Sequence, residues 1–170
     1  MSQAPSHDST LAQDVAGFCQ QQVPDAQQSR ASFPNSDLWA AVAKTGTGLW
    51  LDTGDVEAAR ALWTQEFVAL TTNNSLLNNE VQKGIYDKLV PGTAKLLKDK
   101  GVTGNNVVQE VAFVLNAVHG LKLVRTFDAD VSVELHTAIS NDAEASYQYG
   151  KRFHAICPDR FIVKVPLTPA

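Results

Sequence analysis

Phe161-Ile162-Val163-Lys164-Val165-Pro166-Leu167-Thr168-Pro169-Ala170 is a run of apolar residues interrupted by a single lysine. Strand alternation puts Phe161, Val163 and Val165 on one face and Ile162 and Lys164 on the other, which predicts a short buried strand. A lysine within such a strand is costly to strip of water unless it is neutral or paired. Two uses fit it. One is an amine held neutral, ready to form a Schiff base with a carbonyl. The other is an edge-strand lysine that snorkels into water and blocks further strand pairing.

Working outward from this stretch, three more strands are predicted. Asp130-Val131-Ser132-Val133-Glu134-Leu135 alternates strictly, with Val131, Val133 and Leu135 facing one way and Ser132 and Glu134 the other. Gly48-Leu49-Trp50-Leu51-Asp52 is a strand ending in an acid, and Phe67-Val68-Ala69-Leu70-Thr71-Thr72 runs into the polar turn Asn73-Asn74-Ser75. Between the strands lie helical patterns. Val56–Trp63 follows the turn and cap Thr53-Gly54-Asp55. A longer region carries Val81, Ile85 and Leu89, is broken by Pro91-Gly92, and resumes with Leu96 and Leu97. Asn105 or Asn106 caps a helix with the stripe Val107, Val108, Val111, Leu115 and Val118, ending near Gly120 or a turn further on toward Phe127. Asn141-Asp142 caps a last helix running to about His154. Strands separated by helical crossovers predict a parallel α/β architecture.

The 170 residues, 44% of them hydrophobic, suffice for one soluble domain. A net charge of -4 and a pI near 5.5 provide no general attraction to nucleic acid or to an anionic membrane. No run approaches 18 apolar residues, so no membrane span is expected. MSQAPSHDSTLAQDV lacks the basic region and apolar core of a signal peptide. Cys19 and Cys157 lie far apart without metal-ligand spacing and read as thiols of a reducing compartment, the cytoplasm. Residues 1–45 read as an extension with short helices at Leu11–Gln21 and Asp37–Lys44 and a loose remainder, and 46–170 as the α/β domain. Lys44-Thr45-Gly46-Thr47-Gly48 precedes a strand, whereas nucleotide-binding glycine loops follow one. No histidine pair has metal-ligand spacing, so no metal is expected. His119 reads as a helix-end residue, and Trp39, Trp50 and Trp63 as core or loop anchors.

Asp52, Asn73, Glu134 and Lys164 each stand at or just past the C-terminal end of a strand. Catalytic groups in α/β barrels come from those ends. Singly, Asp52 can serve as a turn cap, Asn73 as a turn residue and Glu134 as a structural ion-pair partner. Together, two carboxylates beside a lysine can shuttle protons in Schiff-base chemistry, which dehydrates a carbinolamine, deprotonates a hydroxyl and reprotonates a carbanion equivalent. Asn73 can hold a substrate hydroxyl.

These residues sit in four segments that occur in order: Leu51-Asp52-Thr53-Gly54-Asp55, Thr71-Thr72-Asn73-Asn74-Ser75-Leu76, Val131-Ser132-Val133-Glu134 with Asn141-Asp142-Ala143-Glu144, and Val163-Lys164-Val165-Pro166 with Thr168. From about Gly48 to Ala170 the chain resembles the transaldolase family and the related fructose 6-phosphate aldolases. The resemblance implies a (β/α)8 barrel, of which about the first four strands are present, and cofactor-independent class I aldolase chemistry. It implies sugar phosphate substrates, with a dihydroxyacetone unit moved from sedoheptulose 7-phosphate or fructose 6-phosphate to an aldose phosphate in the pentose phosphate pathway. By the same resemblance Lys164 is the Schiff-base lysine. Glu134 works with a water in proton transfer, Asp52 handles the sugar hydroxyl proton, Asn73 contacts the ketose unit, and Thr72 plays a supporting role.

The chain departs from the family pattern in three places. Asn74 stands where a proline is usual after the second strand, which loosens the turn presenting Asn73. Leu135-His136-Thr137-Ala138 replaces the usual acid or serine and arginine. The later strands and the phosphate-binding arginine lie beyond Ala170, so the chain reads as a partial member. A free-standing aldolase-like lyase and a non-catalytic fragment or assembly module remain alternatives, with the exposed barrel edge open to self-association.

Overall fold

The apolar–polar alternation builds four parallel strands in the computed structural model, which describes residues 9–23 and 28–169. They are β1 (Leu49–Asp52), β2 (Phe67–Thr71), β3 (Asp130–Glu134) and β4 (Phe161–Lys164), hydrogen-bonded side by side in chain order. Among the described residues seven α-helices accompany them: α1 (Ser9–Gln21), α2 (Asp37–Ala43), α3 (Val56–Leu62), α4 (Asn74–Gln82), α5 (Leu89–Asp99), α6 (Asn105–Phe127) and α7 (Ala143–Ile156). Each pair of parallel neighbours is joined by a helical crossover, as parallel pairing requires.

Register assigns the two faces of the sheet. Leu51, Leu70, Val131 and Phe161 lie in one row. They face the helices, with Leu70 and Val131 fully buried. The opposite face carries the row Asp52, Thr71, Ser132 and Ile162, and two residues further along the paired Glu134 and Lys164. Among the described residues, helices cover the first face and leave the outer strands of the second open. Trp50 is therefore 46% exposed and Ile162 39% exposed, which corrects the expectation that Trp50 is a core or loop anchor: it is an exposed strand residue. The open face also corrects the expected burial of the lysine strand: β4 is the edge strand of the sheet, and only Phe161 in it is buried. Trp63 is core, stacks on Phe67 and lies tilted against Phe127, while Trp39 meets Phe67 edge-on.

The spine is α6, packed on β3 and flanked by α1, α4 and α5. It is long and apolar enough to cross a membrane by length and composition, but 67% of that window is buried inside the protein, as in the core helix of a globular fold. Neither Asn105 nor Asn106 caps it; Gly104, at φ 63°, takes the cap position without a side-chain bond. Val108, expected in its apolar stripe, is exposed. The helix also passes through Gly120 and ends at Asp128, whose left-handed φ of 50° closes it. Gly120 serves close approach instead of termination: a Cβ there would lie 2.8 Å from the Phe161 ring and 2.9 Å from Val133 Cγ1. Gly120→Ala is expected to lower stability by about 1–3 kcal/mol through overpacking, outweighing the gain in helix propensity of at most about 1 kcal/mol. A urea midpoint unchanged or raised would refute this.

Pro91-Gly92 does not break the helical region. The break is at Lys83–Lys88, around Gly84 at φ 74°. Pro91 falls in the first turn of α5, where backbone N–H groups have no intrahelical acceptor, so proline costs no bond there.

The N-terminal region is less loose than its composition suggests. Leu11, Val15 and Cys19 are buried against α6 and α7, Gln20 Nε2 donates to the Ile156 carbonyl at 2.6 Å, and Asp14 pairs with Lys100. Phe33 is buried, 5.8 Å from the Phe127 ring. Residues 1–8, 24–27 and 170 lie outside the described residues. Burial pushes the Cys19 thiol up to about 12, which leaves it an inert core residue.

Candidate active site

The C-terminal ends of β3 and β4 place Glu134 and Lys164 opposite each other in register. Their side chains meet, with Lys164 Nζ 3.1 Å from Glu134 Oε1. Nζ also donates to the Thr72 carbonyl at 3.4 Å. The lysine side chain is 39% exposed and the glutamate 17%. Lys164 is thus paired and partly wet, not stripped of water. Thr72 contributes through its backbone, since its side chain is buried on the helix side with Oγ1 lacking a partner.

The other oxygen of Glu134 is held by the start of α4. The Asn74 N–H donates to Oε2 at 3.0 Å and Asn74 Nδ2 at 2.9 Å; Nδ2 also donates to the Leu135 carbonyl at 3.0 Å. The carboxylate therefore meets the positive end of a helix. From α6, Asn116 Nδ2 donates to the Glu134 carbonyl at 2.9 Å, fixing the end of β3. Asn74, viewed from sequence as a departure that loosens a turn, is thus a direct partner of Glu134. A side chain at the first position of a helix facing a strand-end acid was the available signal.

Asn73 is the N-cap of α4, with Oδ1 accepting from the Leu76 N–H at 2.9 Å. The expected polar turn 73–75 is therefore the beginning of a helix. The cap commits Oδ1 and leaves the amide NH2 as the group Asn73 can offer a ligand.

Asp52 shares the face of Glu134 and Lys164 but stands three strands from Lys164, roughly 14 Å across at about 4.8 Å per strand on a flat sheet. Among the described residues its exposed carboxylate makes no hydrogen bond or ion pair. It does not cap the following turn; Asp55 does, accepting from Glu57 and Ala58. The loop after Asp52 is tied to α4, where Gly54 packs against Leu76 closely enough that a Cβ would lie 3.3 Å from its backbone. At the far end of the same helix Lys83 bridges Asp55 and Glu80 at 2.7 and 2.6 Å. The Lys83 ammonium holds the Asp55 carboxyl below its ordinary range. One helix thereby braces both the Asp52 loop and the Glu134 carboxylate.

His136 accepts from the Ala138 N–H through Nδ1 and caps a short 3-10 turn. His119 is not at a helix end: it is fully buried in α6, with Nδ1 2.7 Å from the Tyr86 hydroxyl.

The family model for transaldolase/fructose-6-phosphate aldolase matches residues 49–170. The chain belongs to that family. Its parallel four-stranded sheet is part of the α/β barrel of the transaldolase/fructose-6-phosphate aldolase family, and the match starts at β1 and takes in all four strand ends. Curated relatives are distant. A transaldolase of Prochlorococcus marinus (strain MIT 9211) is 28% identical over 126 residues, covering 69% of this chain and 36% of that protein. A transaldolase of Methylobacillus flagellatus (strain ATCC 51484 / DSM 6875 / VKM B-1610 / KT) is 27% identical over 131 residues, covering 74% of this chain and 40% of that protein. The matched region thus spans well under half the length of these relatives.

Proposed function

We propose that this chain carries the Schiff-base half of a transaldolase active site, acting on sugar phosphates. The supporting observation is the Glu134–Lys164 pair, an amine and a carboxylate 3.1 Å apart at adjacent strand ends, open to solvent on the lysine side. Neutral Lys164 adds to the ketone carbon of a ketose phosphate. Glu134, through a water, moves the proton that lets the carbinolamine hydroxyl depart as water. The protonated imine is the electron sink. Asp52 takes the proton of the sugar hydroxyl as the carbon–carbon bond breaks, releasing an aldose phosphate and leaving a three-carbon enamine on Lys164. Attack of that enamine on a second aldose phosphate completes a transfer between sugar phosphates, the chemistry of the pentose phosphate pathway. A reducing cytoplasmic setting goes with the free thiols Cys19 and Cys157.

Incubation with fructose 6-phosphate, borohydride reduction, intact mass and a peptide map test this. A dihydroxyacetone-derived adduct on Lys164 is expected, absent in Lys164→Ala and in the charge-preserving Lys164→Arg. No adduct on chain that is folded by circular dichroism would overturn the proposal. The family's two named activities differ in what the enamine takes up. Free dihydroxyacetone formed without an acceptor aldehyde would indicate the aldolase reaction instead of transfer.

A further inference from the structure

Resting on the Schiff-base reading of the site, we propose that Asn74 is a positioning residue that determines which oxygen of Glu134 serves Lys164. Its backbone N–H and its Nδ2 both end on Oε2, while Lys164 faces Oε1. Nδ2 is itself anchored by the Leu135 carbonyl, and the Glu134 backbone is anchored by Asn116, a residue only 4% exposed. The two oxygens therefore have separate tasks. Oε2 accepts two N–H donors from the first residue of α4, one of them a backbone group with no acceptor inside the helix. Oε1 faces the Lys164 amine.

Without that clamp a glutamate is free to rotate about its last torsion, which is broad and roughly two-fold, and to exchange its oxygens. A proline at this position fits the first turn of a helix equally well but supplies neither donor. The clamp matters for one step. Forming a protonated imine from the ammonium and a ketone removes two protons from nitrogen and places both on the ketone oxygen, which leaves as water. Oε1, through a water, takes the proton that frees the neutral amine and later returns it to the carbinolamine hydroxyl. The other passes from nitrogen to oxygen as the carbinolamine forms, so no proton is gained or lost overall. Holding Oε1 still keeps that relay aligned.

The trapping reaction, run over a range of fructose 6-phosphate concentrations, separates the saturated rate from the half-saturating concentration. Asn74→Ala, which keeps the backbone donor, should lower the rate about 10-fold, and Asn74→Pro, which removes both donors, about 100-fold. The half-saturating concentration should barely move, because Asn74 donates to Glu134 and not to substrate. In a Glu134→Ala background, Asn74→Ala should have no further effect. Equal rates for the unmodified chain and Asn74→Pro would overturn the proposal, as would an undiminished effect of Asn74→Ala without Glu134. A second readout needs no turnover: the backbone and side-chain amide proton resonances of Asn74 should shift upfield in Glu134→Ala. If the unmodified chain is not trapped at all, the Schiff-base reading falls. The clamp is then judged by those resonances, and their failure to move would overturn it.

Discussion

Arg152→Ala is expected to destabilise the protein by about 3–5 kcal/mol, the usual consequence of leaving one member of a buried ion pair alone. Arg152 grips Glu110 with both arms of its guanidinium, at 2.7 and 2.6 Å. Glu110 is completely buried and Arg152 nearly so. Tyr149 donates its hydroxyl to the same carboxylate at 2.7 Å, and the guanidinium lies over the Phe113 and Tyr149 rings at 4.3 and 4.8 Å. Burial and the Glu110 charge push the Tyr149 phenol up, so it remains a donor. Truncating Arg152 leaves a carboxylate in the joint between α6 and α7 with a single neutral donor. Arg152→Lys should lose less, because the charge survives while the fork and the ring stacking do not. Replacing the whole set, as in Glu110→Leu with Arg152→Met and Tyr149→Phe, should recover most of the loss, since no buried charge or hydroxyl is then orphaned. Guanidinium unfolding of the series measures this. A midpoint for Arg152→Ala within error of the parent would show that water reaches Glu110.

The second large effect is a loss of stability in mild acid centred on His119. Burial, helped by the Lys122 charge, lowers its pKa from 6.5 to about 4. The ring is neutral in the folded protein and protonated in the unfolded chain between those values. Its contribution is therefore intact above pH 6.5 and is lost as pH falls from 6.5 toward 4. At about 1.4 kcal/mol per unit, the loss reaches about 3 kcal/mol at pH 4. The neutral ring is held by Tyr86, whose phenol is pushed up by burial and by Glu80 and so donates to Nδ1. The Gly54 backbone acts the other way, favouring the protonated ring, but is outweighed by burial. Lys122 and Lys83 are the cations acting on the ring. His119→Asn can still accept from Tyr86 but cannot titrate. It should be less stable than the parent at pH 7.5 and lose less on acidification. Urea midpoints measured from pH 7.5 to 4.5 would count against this if the two proteins fell in parallel. Because His119 abuts the loop that follows Asp52, its protonation is expected to loosen that loop first.

Much of this was legible in the chain, for reasons particular to each segment. Strict alternation in Val131-Ser132-Val133-Glu134 leaves one strand register in which valines reach the core, so Glu134 has only one face available. The same parity argument places Asp52 and Lys164 on that face. Asp142 and Asp55 act as helix caps because the capping bond is local, spanning two or three residues. Punctuation by glycine and proline was misleading. Gly120 and Pro91 look like breaks, yet one is a site of close packing against Phe161 and the other sits in a first turn where its missing N–H has no consequence.

By itself, the sequence determined the four strands, their parallel order, the face shared by Asp52, Glu134 and Lys164, and the family motifs, because alternation, caps and strand-end residues are short-range properties. The tertiary structure alone decided the partners. That Asn74 holds Glu134, that Tyr86 meets His119, that Arg152 reaches Glu110 and that Lys164 is paired at a half-open edge all depend on contacts between residues 30 to 60 positions apart. Such contacts follow from how α4, α6 and α7 settle on the sheet, and a helix pattern states which residues face inward without stating which of them meet.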